Sequence, residues 1–90
     1  MKQFLIFLRD KDGSELTPEV IQSHENYVEK LKRQGSLKIC GPFAGNDKAF
    51  FIYSSENIGQ AAALLLNDPI MKEKAFGSYE IHEFHEENRA

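Results

Sequence analysis

Phe4-Leu5-Ile6-Phe7-Leu8 is a strand-length apolar run that does not alternate. A strand with one face on a core and one face in water reads apolar-polar-apolar. This run asks for cover on both faces. Phe50-Phe51-Ile52-Tyr53 makes the same demand in the middle of the chain. Any fold must therefore bury two strands twice over, and 90 residues provide one domain, 1–90, with no room for a second.

The segments between these runs read as helices and turns. Residues 3–9 form the first strand, and Lys11-Asp12-Gly13-Ser14 a turn. Thr17-Pro18 starts a helix, with Thr17 as N-cap, Pro18 in the first turn and Glu19 suiting the positive end of the helix dipole. Glu29 and Arg33 can pair one turn apart, and Gly35 ends the helix in the left-handed conformation. Residues 36–42 are a second strand, Phe43 to Lys48 a hairpin loop around Gly45-Asn46-Asp47, and Ala49 to Ser54 a third strand. Ser54 or Ser55 is expected to cap a helix running to about Asn67, with Ile58, Ala61, Ala62 and Leu65 on its apolar side. Asp68-Pro69 stops it, since the residue before proline disfavours the α region. A short helical turn within 70–76, a break at Gly77, a fourth strand from Ser78 to His85 and a frayed tail over 86–90 complete the chain.

The order is βαββαβ, an α+β arrangement of the ferredoxin-like type. Two helices cover one face of its four-stranded sheet and leave the other naked. The two-sided apolarity of strands 1 and 3 predicts that a second copy covers that face, giving a homodimer with its sheets packed together.

Several function classes are disfavoured. The formal net charge is −3, opposite to what phosphate neutralisation requires, so no nucleic-acid partner is expected. Lys30, Lys32 and Arg33 are a solvated helix end. No apolar run approaches a membrane span, and Phe4–Leu8 is too short for a secretory signal. Cys40 is the only cysteine, which excludes an intramolecular disulfide and fits a reducing, cytoplasmic setting.

Val20, Ile21, Tyr27, Val28 and Leu31 lie on one stripe of the first helix, and His24 falls in the middle of it. A titratable ring on a core-facing stripe is either a satisfied anchor or a working group. Desolvation disfavours the charged imidazole and a carboxylate neighbour restores it, a balance suited to general acid/base work. Asp68 is the candidate neighbour. It would orient the ring and stabilise its charged form, or serve only as the turn residue of Asp68-Pro69.

The ordered set His24, Tyr27, Leu31, Gly35, Leu37, Gly41-Pro42, the Gly45 loop, an alanine-rich second helix and Asp68-Pro69 spans most of the chain. It resembles the YciI-like family of the dimeric α+β-barrel group. The resemblance implies a ferredoxin-like dimer with a pocket between sheet and helices, and a His–Asp dyad carried over to His24 and Asp68. It implies a small aromatic or lactone-like substrate, since some relatives transform such molecules, including by dehydrochlorination of a hydroxylated aromatic. One departure stands out. Many members carry Arg-Pro shortly before the histidine, whereas this chain has Gln22-Ser23. The missing arginine removes an anion-pairing group from that corner.

Further ligand contacts are expected from Tyr27, Tyr53, Ser36, Gly41 and Pro42. The tyrosines offer phenols, though each also suits a core ring with its hydroxyl at the edge. Gly41 permits close approach, though turn geometry also explains it. Cys40 reads as a small buried side chain. His82 and His85 lie three apart on a strand and point to opposite faces, so no metal site is expected. There is no phosphate loop or dinucleotide fingerprint, and no cofactor is expected. Two readings remain open: a small cofactor-independent enzyme of the lyase, isomerase or hydrolase kind, using His24 for proton transfer; or a non-catalytic dimeric module that binds a small molecule or only dimerises.

Overall fold

The computed structural model describes residues 1–87. Strand β1 (Lys2–Lys11) is followed by a single 3-10 turn at Gly13–Glu15, helix α1 (Pro18–Arg33), strands β2 (Leu37–Pro42) and β3 (Ala49–Ser55), helices α2 (Ile58–Leu66) and α3 (Pro69–Lys72), and strand β4 (Phe76–Phe84). The strands form one antiparallel sheet in the order β2-β3-β1-β4. The α+β, ferredoxin-like arrangement expected from the sequence is the one observed.

The two apolar runs sit on the central strands and are paired to each other, with Phe4 opposite Tyr53, Leu5 opposite Ile52, and Ile6 opposite Phe51. Their side chains divide between two faces. Phe4, Ile6, Leu8, Phe51 and Tyr53 are buried and meet Leu31, Leu65 and Ile70 from the helices. Leu5, Phe7, Phe50 and Ile52 lie on the opposite face and are only half-covered within one chain. Phe43, from the β2–β3 loop, packs edge-on against Phe7 and Phe50 there.

α1 begins where Thr17 accepts a hydrogen bond from the Val20 N–H. It ends at Gly35, whose φ of +78° continues into bonds from Ser36 N–H to the Leu31 carbonyl and from Gly35 N–H to the Lys32 carbonyl. Glu29 and Arg33 form an outer-face pair at 3.7 Å.

Three local expectations are corrected. Asn57, not Ser54 or Ser55, caps α2: its side chain accepts from the Gln60 N–H. Ser55 is still in β3, and its hydroxyl donates to the Asn57 carbonyl. Gly77 does not break the chain but lies within β4. It faces Asp10, which has φ of +58°, and a Cβ at Gly77 would sit 3.1 Å from the Asp10 Cβ. The extra helical turn is α3, starting at Pro69 and ending at Lys72. Of the expected frayed tail, Glu86 lies 3.8 Å from Lys38, and residues 88–90 fall outside the described residues.

Candidate functional site

Asp68 is wholly buried, unusual for a carboxylate, and the chain around it explains how. α2 ends at Leu66, and the Asp68 N–H returns to the Leu65 carbonyl. Asp68 then caps α3: its Oδ1 accepts from the Ile70 N–H at 3.0 Å, while its own carbonyl accepts from Met71 and Lys72. Pro69, with φ preset, stands at the first helical position. The turn role read from Asp68-Pro69 is therefore real. It also fixes the carboxylate rigidly.

The second partner of that carboxylate is His24. Its Nδ1 lies 2.8 Å from Oδ1 and 3.0 Å from Oδ2 of Asp68. The sequence separation is 44 residues, bridged because α1 packs beside α3. An acceptor-only carboxylate at Nδ1 selects the tautomer with the proton on Nδ1. Nε2 is then left with its lone pair, and it has no hydrogen-bond partner among the described residues. The His24 side chain keeps 22% of its surface exposed, and its ring tilts against Phe51 at a centroid distance of 6.0 Å.

His24 lines a cavity of about 380 Å3 on the helix side of the sheet. The size suits a small ring compound. Phe51, Ile70, Phe76 and Leu16 supply apolar walls, and Gly41 and Pro42 close the β2 side. Ile21 and Glu25 contribute from α1, and Lys11, Asn46 and Lys48 from the end of β1 and the β2–β3 loop and strand start. A second groove of about 450 Å3 is also lined by His24, together with Val28 and Lys32 of α1 and Cys40 to Pro42 of β2. The two depressions share His24, Glu25, Cys40, Gly41 and Pro42.

Of the residues expected to contact a ligand, Gly41 and Pro42 line both depressions. Tyr27, Ser36 and Tyr53 line neither. The Tyr27 hydroxyl donates to the Leu64 carbonyl at 2.6 Å, satisfying an orphan acceptor in the last turn of α2. Burial, with the Asp68 charge adding to it, pushes this phenol above its usual range. Tyr53 is wholly buried, and its hydroxyl has no protein partner among the described residues. Desolvation first, then the Asp68 charge, holds it far in the neutral form. Ser36 lies on a separate groove with Ser54, Ser55 and Gln60.

Cys40 is half-buried, not enclosed as expected, and touches both depressions at His24. Desolvation raises its thiol; nearby Lys32 opposes this and Asp68 adds to it. Glu25, Lys11, Lys48 and Phe51 carried no site signal in the sequence. Their membership depends on chain segments that meet only in the fold. His82 and His85 each lie beside a strand glutamate, at 2.9 Å from Glu80 and 3.6 Å from Glu83. Among the described residues, no three His, Cys, Asp or Glu side chains converge to hold a metal. No helix among them is long and apolar enough to cross a membrane.

Comparison with known proteins agrees with the fold. Residues 2–85 match the model of the YCII-related domain, and the chain belongs to that family. The fold is similar to that of the 5-chloro-2-hydroxyhydroquinone dehydrochlorinase of Burkholderia phenoliruptrix, solved with 2,5-dihydroxybenzoquinone. The TM-score is 0.74 at 24% identity, covering 92% of this chain and 93% of that one. It is also similar to the Atu4242 protein of Agrobacterium tumefaciens, with a TM-score of 0.56 at 9% identity, covering 94% of this chain and 92% of the other. No curated protein matches the sequence significantly.

Proposed function

We propose that this YCII-related chain is a small enzyme in which His24, oriented by Asp68, moves a proton on a small cyclic or aromatic molecule held in the cavity. The observation that carries this reading is the bond from His24 Nδ1 to a buried carboxylate, on an imidazole that also lines a cavity. A histidine serving only as a helix anchor has no need of a cavity beside it. Here the bound edge faces Asp68 and Nε2 remains free to act as base.

The steps follow from the geometry. Nε2 takes a proton from the bound ring or its hydroxyl. The resulting imidazolium is stabilised by the Asp68 carboxylate, which holds the ring in place. The same proton can then be returned to another atom or to a leaving group. Lyase, isomerase and hydrolase outcomes share this device, and proton transfer by imidazole requires no cofactor chemistry. Gly41 and Pro42 would contact the ligand, and Phe51 would form the wall behind the imidazole. Tyr27 supports the dyad indirectly by tying α1 to α2 through Leu64.

The fold likeness to a dehydrochlorinase makes hydroxylated aromatics the first compounds to try. A thermal-shift screen of hydroxylated aromatics and lactones, including 5-chloro-2-hydroxyhydroquinone, should yield stabilising ligands. At least one should be turned over by the wild type and not by folded His24→Gln. Ligands that bind without turnover would establish the alternative, a non-catalytic binding module. No binding and no turnover would reject both.

The assembly belongs to the same reading. The half-covered face of Leu5, Phe7, Phe50 and Ile52 is proposed to pack against its counterpart in a homodimer. The same reading puts the protein in a reducing, cytoplasmic setting, a proposal supported by its lone cysteine.

A further inference from the structure

The helix that carries His24 has no arginine ahead of it, with Gln22-Ser23 in that place. Cationic groups nevertheless reach the cavity from elsewhere. Lys11 comes from the last residue of β1, and Lys48 from the residue before β3. Both are brought to the cavity by the β2–β3 loop: the Lys11 ammonium donates to the Asn46 carbonyl at 2.8 Å, and Lys48 lies 3.2 Å from Asp47. An ammonium has three donors, so each lysine keeps two for a ligand. The Lys48–Asp47 pair is exposed on both sides, with 44% and 67% of the side chains accessible, and such pairs exchange partners at little cost. Glu25 lines the same cavity from α1. The rim is thus cationic on the strand side and anionic on the helix side, with apolar walls between.

We infer that the molecule acted on is an anionic ring, with a carboxylate or ionised phenol oxygen held by Lys11 and Lys48 and the ring laid against Phe51 and Ile70 within reach of His24. This rests on the proposed function and adds to it the charge of the substrate and the residues that select it. Paired lysines give such an anion charge-assisted hydrogen bonds, worth more than neutral ones. A neutral ring of the same shape would leave the ammonium groups without that gain. Glu25, on the opposite side, repels a second anionic group and suits a hydroxyl donor.

The test uses a matched pair of probes: salicylate, an anion with an ortho hydroxyl, and salicylamide, its neutral counterpart. Binding is followed by amide NMR on the full chain. Salicylate should shift the Gly41 and Cys40 signals and bind about tenfold or more tightly than salicylamide, as expected for hydrogen bonds to a charged group. Its affinity should weaken with added salt. Lys11→Gln/Lys48→Gln should lose that advantage and leave salicylamide binding unchanged. His24→Gln should keep the preference for the anion, because the lysines carry it. Equal binding of the two probes, a double variant that keeps the preference, or no binding of either at millimolar concentration overturns the proposal. None of these outcomes touches the dyad, which turnover by wild type against His24→Gln tests separately.

Discussion

Replacing Asp68 with alanine tests how much of the structure depends on the carboxylate. The side chain is completely buried and holds two donors, the His24 ring and the Ile70 N–H, at 2.8 and 3.0 Å. The substitution removes a helix cap, worth about 0.5–2 kcal/mol. It also removes a hydrogen bond of the charged class, worth about 1.5–3 kcal/mol. Together these two terms come to about 2–5 kcal/mol. The partial exposure of His24 places the expected loss in the lower half of that range, about 3 kcal/mol. At about 4–8 °C per kcal/mol for a domain of this size, Tm should fall by roughly 12–24 °C. His24→Ala leaves the buried carboxylate with only the Ile70 N–H and should cost a similar amount. The double variant should cost less than the sum of the two, with a coupling of about 2 kcal/mol. Urea denaturation of the four proteins measures all of this. A coupling under about 0.5 kcal/mol, the ordinary scatter between independent sites, would show that the pair contributes nothing beyond proximity and refute the reasoning.

Tyr27→Phe should cost about 1 kcal/mol, the worth of its bond to the Leu64 carbonyl, and leave ligand affinity intact; denaturation and the probe titrations check both. The raised Cys40 thiol holds less thiolate near pH 8 than an ordinary cysteine, so iodoacetamide should modify it slowly, faster as pH climbs, and more slowly again with salicylate bound. Labelling at the rate of free cysteine would contradict this. Ile52→Glu puts a charge on the half-covered sheet face and should convert a sedimenting dimer to a folded monomer. A wild type that sediments as a monomer at micromolar concentration would contradict the proposed assembly.

The architecture was legible in the sequence because it follows from patterns of local reach. Non-alternating runs at Phe4–Leu8 and Phe50–Tyr53 named the central strands, and Thr17-Pro18, Gly35 and Asp68-Pro69 marked helix boundaries with specific backbone chemistry. His24 stood out because a polar ring interrupted an apolar stripe. Boundaries failed where two residues competed for one role. Ser55 has cap chemistry but lies in β3, and Asn57 took the cap; Gly77 has breaker chemistry but is used in β4 for a close approach to Asp10. The site was legible only at its centre. Both halves of the His24–Asp68 pair had local reasons to be noticed. Lys11, Lys48 and Glu25 had none, since an exposed-looking charge acquires meaning only when distant segments fold around one cavity. The tyrosines show the converse. A phenol reads the same in sequence whether it faces a ligand, caps a carbonyl as Tyr27 does, or is enclosed as Tyr53 is.

The most direct test of the His24–Asp68 arrangement is the position of the imidazole proton. Long-range proton–nitrogen NMR of the ring, recorded where His24 is neutral, reports which nitrogen carries it. With Asp68 as acceptor at 2.8 Å, the proton should reside on Nδ1, leaving Nε2 bare on a ring that lines the cavity. In Asp68→Ala that preference should be lost. A wild-type ring protonated mainly at Nε2, or a tautomer balance unchanged in Asp68→Ala, would contradict a base oriented by Asp68 and remove the ground for an enzyme at this site.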